Sequence, residues 1–241
     1  MEQVVASLLL AASVAASGFS TGNVWPHGSG IFGGGIKPAT VVTQTVWVDS
    51  SSYASTTASK TESWSLTNTA GIYLIVGVSY KPTASATIWQ VLCGTSTLFL
   101  GTQTVGATLN VEQWYLANPP TGVQTVVVNL SSNATSLVAG AITFANAHNT
   151  ANWSSSFGTT QAVSLTVTGI ANGLVVDTLV GSKTSDPAVC GQTQVYQTTV
   201  GSGANKITGG GSVKAGTGNV DMVWTLNASS EYGLGAVSVY P

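Results

Sequence analysis

The feature that most constrains this chain is a succession of short runs of β-branched and aromatic residues, which starts at Val41 and continues to the last residues. Clusters of Gly, Asn, Pro and Ser separate these runs, and none of the runs repeats with the period of an amphipathic helix. Regular short runs with turn signals between them are typical of a β-sandwich or a barrel. The sequence therefore predicts an all-β fold, an antiparallel β-sandwich of jelly-roll-like type, over residues 41–241.

Some of the predicted strands are apolar on both faces, including IYLIVGV and VVVNL, which predicts that they are central or covered by a second layer. We find no internal repeat of the kind that solenoids and propellers show, so a single β domain is the simplest organisation. The predicted strands are VVTQTVWV (41–48), TESWSLT (61–67), IYLIVGVSY (72–80), ATIWQVLC (86–93), VEQWYLA (111–117), VQTVVVNL (123–130), SLVAGAITF (136–144), AVSLTVT (162–168), GLVVDTLV (173–180), TQVYQTTV (193–200), VDMVWTL (220–226) and LGAVSVY (234–240).

Residues 1–40 differ from the rest and form an apolar segment followed by a Gly/Pro-rich arm. The segment 4–17, VVASLLLAASVAAS, is shorter than the ~20 apolar residues of a transmembrane helix. Its A-A-S-G end is similar to a signal-peptide cleavage region, yet Met1-Glu2-Gln3 lacks the basic residues of such a signal. We expect retention and burial in an assembly, and cleavage or lipid insertion are the alternatives. The assembly contacts would be Val4, Val5, Leu8, Leu9, Leu10 and Val14.

Charged residues are scarce, at 6% of the chain against roughly 25% in ordinary soluble domains. The six basic residues are all lysines, and eight acids give a net charge of -2. Nucleic-acid surfaces, docking on anionic lipid and phosphate-handling enzymes all depend on clustered Lys or Arg, so these classes are disfavoured. Low net charge favours self-association, which suits a subunit that packs against copies of itself.

Cys93 and Cys190 are the two cysteines. A disulfide between them would close a long loop and stabilise the fold by ~4–5 kcal/mol in the chain-entropy model. The alternative is that both are small buried hydrophobic residues, and the sequence favours neither. Since no C-x-x-C pair and no D-x-D-x-D-G loop occurs, we predict neither a metal site nor a cofactor.

Residues 61–241 resemble a family of uncharacterised β-sandwich domains found in secreted bacterial proteins and in phage proteins. The resemblance depends on LIVGVSY (74–80), WYLANPPTG (114–122), AGAITFANA (139–147), GLVVDTL (173–179), GQTQVY (191–196) and the closing VDMVWTL and YGLGAVSVYP (220–241). The W-Y-L-x-x-P-P-x-G phrase is its most specific part. Where such domains commonly have a second Gly near the early turn, this chain has Cys93-Gly94-Thr95. The resemblance implies a sandwich fold and an exposed setting, and it implies no catalytic residues.

The candidates for catalysis are few. A hydrolytic Ser or Thr needs a base, and His27 and His148 are the available histidines, while no G-x-S-x-G phrase surrounds any Ser. Surface histidines are the simpler interpretation, so we predict no enzymatic activity. The acids, which could in principle form a glycosidase pair, are scattered singly at Asp49, Glu62, Glu112, Asp177, Asp186, Asp221 and Glu231.

Asp177 is unusual because it lies inside an apolar run, GLVVDTLV. Burial of a carboxylate is costly unless it is paired or neutralised. One hypothesis gives it a lysine partner, Lys183 or Lys81, or a role in promoting a Lys–Asn isopeptide crosslink. The alternative, which we favour, is an Asp near a strand end that accepts hydrogen bonds from backbone amides.

Aromatic residues and glycosylation sequons suggest two kinds of surface contact. Trp25, Trp89 and Trp153 are the better candidates for exposed rings that could stack on sugars, although aromatic residues in β proteins are more often core or interface. Sequons occur at Asn129, Asn133, Asn152 and Asn227, and they would mark exposed positions if the source glycosylates exported proteins.

These observations favour a non-enzymatic exterior structural subunit that assembles with itself. It would be a virion surface or capsid-associated protein or a cell-surface filament subunit, outside the cell or on the virion. Its partners would be its own copies or other structural subunits, with no nucleic acid. The alternatives are a secreted carbohydrate-binding or adhesion module and, less favoured, a secreted hydrolase.

Overall fold

The computed structural model describes residues 44–83, 86–182 and 189–241 of the chain. Predictions that concern other residues lie outside this part: the apolar segment with Val4, Val5, Leu8, Leu9, Leu10 and Val14, the arm to residue 40, Trp25, His27, Lys183 and Asp186. Residues 42–241 form one compact unit. The account below concerns the described residues of that unit.

The described residues form eleven β-strands and one short 3-10 helix, and every strand pairs in antiparallel fashion, which confirms the predicted all-β antiparallel fold. The strands are β1 (Trp47–Asn68), β2 (Tyr73–Pro82), β3 (Ile88–Cys93), β4 (Ser96–Thr97), β5 (Phe99–Val105), β6 (Asn110–Ala117), β7 (Gly122–Ala145), β8 (Asn149–Ser182), β9 (Val189–Cys190), β10 (Thr193–Val200) and β11 (Ile207–Tyr240); the helix is Gly203–Asn205.

The first sheet has the order β4-β3-β7-β2-β6-β5, with β1 also paired to β7. It is nearly closed because β1 and β7 bend back over the face of the sheet. The bend in β1 lies near Ala58, where φ is +52°, and the register with β7 shifts just after it, between Ser59 and Thr61. Across it, Trp64 Nε1 donates a 3.0 Å hydrogen bond to Ser52 Oγ, which brings the two parts of β1 together.

The second sheet has the order β10-β11-β8, with β9 also paired to β11. Both long strands fold back on themselves. Tyr232 of β11 pairs with Gly158 and with Gly181 of β8, and Gly181 of β8 pairs with Thr208 and with Tyr232 of β11. Residues 230–240 of β11 therefore lie between residues 149–160 and 173–182 of β8. The middle parts of the two strands, which include Val163 and Trp224, pair with each other and pack over the outer face of this sheet.

The apolar side chains form a central core between the sheets and outer cores beneath the folded-over strands. The central core joins Ile75 and Val138 of the first sheet to Val176 and Val237 of the second. The neighbouring residues along each strand point the other way and fill the outer cores. This explains why β2 is apolar on both faces, as its sequence predicts. Each fully buried large apolar side chain contributes roughly 1.5–3 kcal/mol.

The strand pairing of residues 47–145 is repeated in residues 149–240. In the first half, β2 lies between β7 and β6 and pairs with both. β6 in turn pairs with the edge strand β5. In the second half, residues 173–182 of β8 pair with residues 230–240 of β11 on one side. On the other side they pair with residues 207–216 of β11, which pair with the edge strand β10. The two halves share one topology.

The register of the pairs gives a residue-by-residue match between the halves. Residues 140–142 (GAI) in β7 match residues 235–237 (GAV) in β11, 95 positions later. Gly140 pairs with Gly77 and Gly235 pairs with Thr178, so Gly77 matches Thr178. These two residues face each other between the sheets, because a Cβ on Gly77 would lie 2.1 Å from Thr178 Oγ1. A single duplication of about 100 residues has no short period of the kind that marks solenoids and propellers in a sequence.

Candidate functional site

Asp177 lies in β8, where alternation turns its side chain toward the outer core of the second sheet, and it is fully buried. Ser212 donates to Oδ1 twice, from its backbone N at 2.8 Å and from Oγ at 2.6 Å. Oδ2 accepts from Trp224 Nε1 at 2.7 Å and from Gln192 Nε2 at 3.1 Å. The carboxylate therefore connects the sheet to the strands folded over it.

Burial raises the pKa of Asp177 to about 7, and the hydrogen bonds from Ser212, Trp224 and Gln192 act in the opposite direction. All four donors are neutral groups, and only the Ser212 amide belongs to the backbone. The favoured alternative is wrong about the position, because Asp177 lies inside β8 and its backbone pairs on both sides, and it accounts for only one of the four donors. Lys81 does not serve as the partner in this arrangement, since its Nζ donates to the backbone oxygen of Ala204.

Glu112 of β6 is a second buried carboxylate with a similar set of partners. Its Oε1 accepts from Tyr80 OH and from Gln103 Nε2, both at 2.9 Å, and Oε2 accepts from Trp114 Nε1 at 2.9 Å. Burial raises the pKa of Glu112, while these three hydrogen bonds lower it. Neither carboxylate is open to solvent, so their geometry suits the joining of strands and does not suit contact with a substrate.

The remaining acids of the described part are held separately. Asp49 Oδ2 accepts from the backbone N of Thr69 at 3.0 Å, and Glu231 Oε1 accepts from the backbone N of Thr108 at 2.7 Å. His148 is exposed, as the surface interpretation expects. Within residues 44–83, 86–182 and 189–241, no three His, Cys, Asp or Glu side chains gather in a way that could hold a metal ion.

Cys93 and Cys190 are both free thiols, so the disulfide that the sequence left open is not formed. Cys93 is buried in the outer core of the first sheet, whereas Cys190 is half-buried against that of the second. They lie in β3 and β9, which pair with the folded-over parts of β7 and β11, and each is followed by a glycine. The register does not match the two cysteines to each other, because Cys93 pairs with Val126 whereas Cys190 pairs with Trp224, the counterpart of Val128.

The predicted surface residues are mostly where the sequence places them. Asn133, Asn152 and Asn227 are exposed, while Asn129 is half-buried and donates from Nδ2 to Gln90 Oε1 at 3.2 Å. Trp89 is 60% exposed. Trp153, in contrast, is half-buried, because its ring packs on neighbouring residues.

A group of exposed apolar side chains surrounds the edge strand β5. Phe99 is 63% exposed, Leu100 46% and Val105 64%, and Phe157 of β8 is 42% exposed. Together with Trp153 of β8, we call these five residues the apolar side. Four of them belong to the nine exposed large hydrophobic side chains of the described residues. No charged residue occurs in 99–106 or in 149–160, the two segments that form this side.

Two glycines of β5 and its following turn fix the rings of the apolar side. A Cβ on Gly101 would lie 2.1 Å from Cη2 of Trp153, and one on Gly106 would lie 2.0 Å from Cε2 of Phe157, so both rings lie directly on the backbone. The ring centroid of Tyr115 is 5.6 Å from that of Trp153 and 5.8 Å from that of Phe99. The rings are therefore held in fixed positions by their neighbours.

Sequence reasoning missed most of the apolar side. Segments 99–105 and 149–160 were not among the predicted strands, because their Ser, Thr, Gly and Asn residues are typical of turns. The signal available in the sequence was an uncharged segment that begins with Phe99-Leu100. The contact of its glycines with the rings of Trp153 and Phe157 is visible only in the fold.

No family model, no curated protein and no solved structure matches this chain. The resemblance to bacterial and phage β-sandwich domains therefore depends on the residues quoted for it. Among the described residues, no helix is long and apolar enough to cross a membrane.

Proposed function

We propose that this protein is a non-enzymatic structural subunit that associates with copies of itself on an exterior surface, as part of a virion or of a cell-surface filament. The observation that carries the proposal is the apolar side. Isolated exposed apolar residues are ordinary, whereas a group of large ones around an unprotected edge strand marks an interaction surface. Natural edge strands are commonly protected by charge, and β5 carries none.

The rest of the surface supports the same proposal. With 6% charged residues and a net charge of -2, copies repel one another weakly. Exposed Asn133, Asn152 and Asn227 are suitable for glycans in an extracellular setting. We further propose that the two sheets form a jelly-roll-like β-sandwich, the fold and setting that the resemblance implies.

An alternative function is a secreted carbohydrate-binding or adhesion module. The cluster of Phe99, Tyr115 and Trp153 favours it, because rings held in fixed positions can stack on the apolar faces of sugars. The exposed indole of Trp89 offers a second such ring.

Sedimentation velocity of the full-length chain over a wide range of concentrations, with electron microscopy of the same samples, tests the structural proposal. We expect species larger than the 24.3 kDa monomer, in growing amounts as the concentration rises. A chain that stays monomeric at the highest concentration contradicts the proposal. A glycan array then tests the alternative: saccharide binding that Phe99→Ala and Trp89→Ala abolish would favour the module.

A further inference from the structure

The duplication gives the apolar side an internal comparison, because each position in one half has a counterpart in the other. The edge strand β5 matches the edge strand β10. The segment beside β5, residues 149–160 of β8, matches the segment beside β10, the first part of β1. The match is supported by a shared irregularity: β5 shifts register between Leu100 and Thr102, and β10 shifts between Gln194 and Tyr196.

A packing contact confirms this alignment independently. Thr102 of β5 matches Tyr196 of β10, and each faces the glycine of the matching GA pair across the sandwich. A Cβ on Gly235 would lie 3.3 Å from Thr102 Cγ2, and a Cβ on Gly140 would lie 2.2 Å from Tyr196 Cε1. The two edges therefore occupy the same position in their halves.

The residues that match the apolar side are all polar. β5 pairs with β6, and β10 pairs with the matching part of β11, residues 207–216. Aligning these two pairs matches Phe99 to Thr193, Leu100 to Gln194 and Val105 to Thr199. The pairing with β7 and with residues 230–240 of β11 matches Ser154 to Ser52 and Phe157 to Ser55. Trp153, the residue before Ser154, therefore lies at the position of Ser51. We call Ser51, Ser55, Thr193, Gln194 and Thr199 the polar side.

One topology thus carries different residues at these five matched positions. The polar side also has one large ring, Tyr53, which is 40% exposed between Ser51 and Ser55 and matches Ser155 of the other half. The polar side shows that the fold does not require large apolar residues at these positions. Fold stability is therefore a poor explanation for the exposed rings of the apolar side, and binding is a better one. The polar side also limits the geometry of association, since a contact that used both sides would bury Ser and Thr against the apolar residues.

We infer that two copies of this chain associate through the apolar side of each, in a closed two-fold dimer that is the building block of the proposed assembly. This inference rests on the proposed function. No charged residue occurs in segments 99–106 and 149–160, and the nearby charges are Lys81, which lines one depression with Val105, and Glu231, which binds Thr108. The rings of this side therefore suit an uncharged apolar surface, and the same side of a second copy offers one. A contact between two identical surfaces closes as a dimer, whereas a contact between different surfaces can continue indefinitely. Among the described strands, β5 pairs with β6 alone, so its outer edge is available to a second β5.

Matched substitutions on the two sides test the inference in the full-length protein. Phe99→Lys places a charge on the apolar side, and Thr193→Lys places the same charge at the matching position of the polar side. Both positions are exposed, so both variants should keep the melting temperature of the unmodified chain. We expect Phe99→Lys to weaken dimerisation by roughly tenfold or more, and Thr193→Lys to leave it unchanged, in sedimentation equilibrium.

The triple variant Phe99→Thr, Leu100→Gln and Val105→Thr transfers the residues of the polar side to the apolar side. We expect it to remain folded and monomeric at concentrations where the unmodified chain is dimeric.

If the chain assembles but neither lysine variant affects it, or Thr193→Lys disrupts it, the dimer is wrong and the proposed function stands. Formation of a continuous series of oligomers without a dimer as the smallest species also overturns the inference. If the unmodified chain is a monomer throughout, both proposals fail; saccharide binding that Phe99→Lys abolishes would assign the apolar side to the alternative function.

Discussion

Asp177 shows how single residues in a chain with few charges can join separate strands. Its two oxygens accept hydrogen bonds from Ser212, Gln192 and Trp224, which lie on three different parts of the second half. Glu112 does the same in the first half, with Tyr80, Gln103 and Trp114. A buried carboxylate is tolerated only when its hydrogen-bonding capacity is met, so these partners should be sensitive to substitution.

The stability of the protein should therefore decrease as the pH rises from about 4 to above 7. The pKa of Asp177 is about 7 in the folded chain against 3.8 in the unfolded chain. Between these values the folded chain keeps a proton that the unfolded chain has released, so the free energy of unfolding falls with pH. The total loss should be at most about 4 kcal/mol, at 1.36 kcal/mol for each tenfold change in proton affinity. Glu112, whose pKa is also raised, contributes in the same direction.

Urea unfolding at pH 5 and at pH 8 measures this decrease. Asp177→Asn removes the titrating group and places an amide against donors, so it should lower stability at pH 5 by ~1–3 kcal/mol and flatten the pH dependence. A pH dependence that survives unchanged in Asp177→Asn would mean that other groups are responsible.

At the scale of the strand, the sequence predicts some elements well and others poorly. β2 and β6 were predicted almost to their ends, because their apolar residues pack on both faces or against a central strand. The part of β11 at residues 207–216 was not predicted, since Gly209, Gly210 and Gly211 have low strand propensity. Those glycines are required by a distant contact, because a Cβ on Gly211 would lie 2.3 Å from the ring of Tyr196. A sequence pattern contains no record of such a contact.

Gly140 of β7 allows a test of this close packing. A Cβ there would lie 2.2 Å from two ring atoms of Tyr196, which is almost fully buried and cannot move aside. Gly140→Ala should lower the free energy of unfolding by ~1–3 kcal/mol, as overpacking does. In Gly191→Ala the nearest atom would be 3.6 Å away, so this control should change stability by less than about 0.5 kcal/mol. Equal urea midpoints for the two variants would show that the sheets can separate to accept a methyl group.

At the scale of the molecule, the duplication explains both the architecture and the limits of sequence reasoning. The two halves differ at most matched positions, as Gly77 and Thr178 illustrate, so the repeat is clearest in strand pairing. The all-β antiparallel fold follows from local patterns. The apolar side and its polar counterpart do not, because they depend on which segments become edges and on what lies across each edge.

The shared central core makes the two halves one cooperative unit. Ile142 is 2% exposed and belongs to the cluster that combines both sheets, so neither half can unfold without exposing the apolar face of the other. Calorimetry of the full-length chain should show a single transition for the described part. Ile142→Ala should move that transition down as a whole by roughly 5 °C or more. The control Val123→Thr changes a side chain that is 72% exposed and should leave it in place. Two separate transitions, of which Ile142→Ala shifts only one, would show that the halves are independent domains.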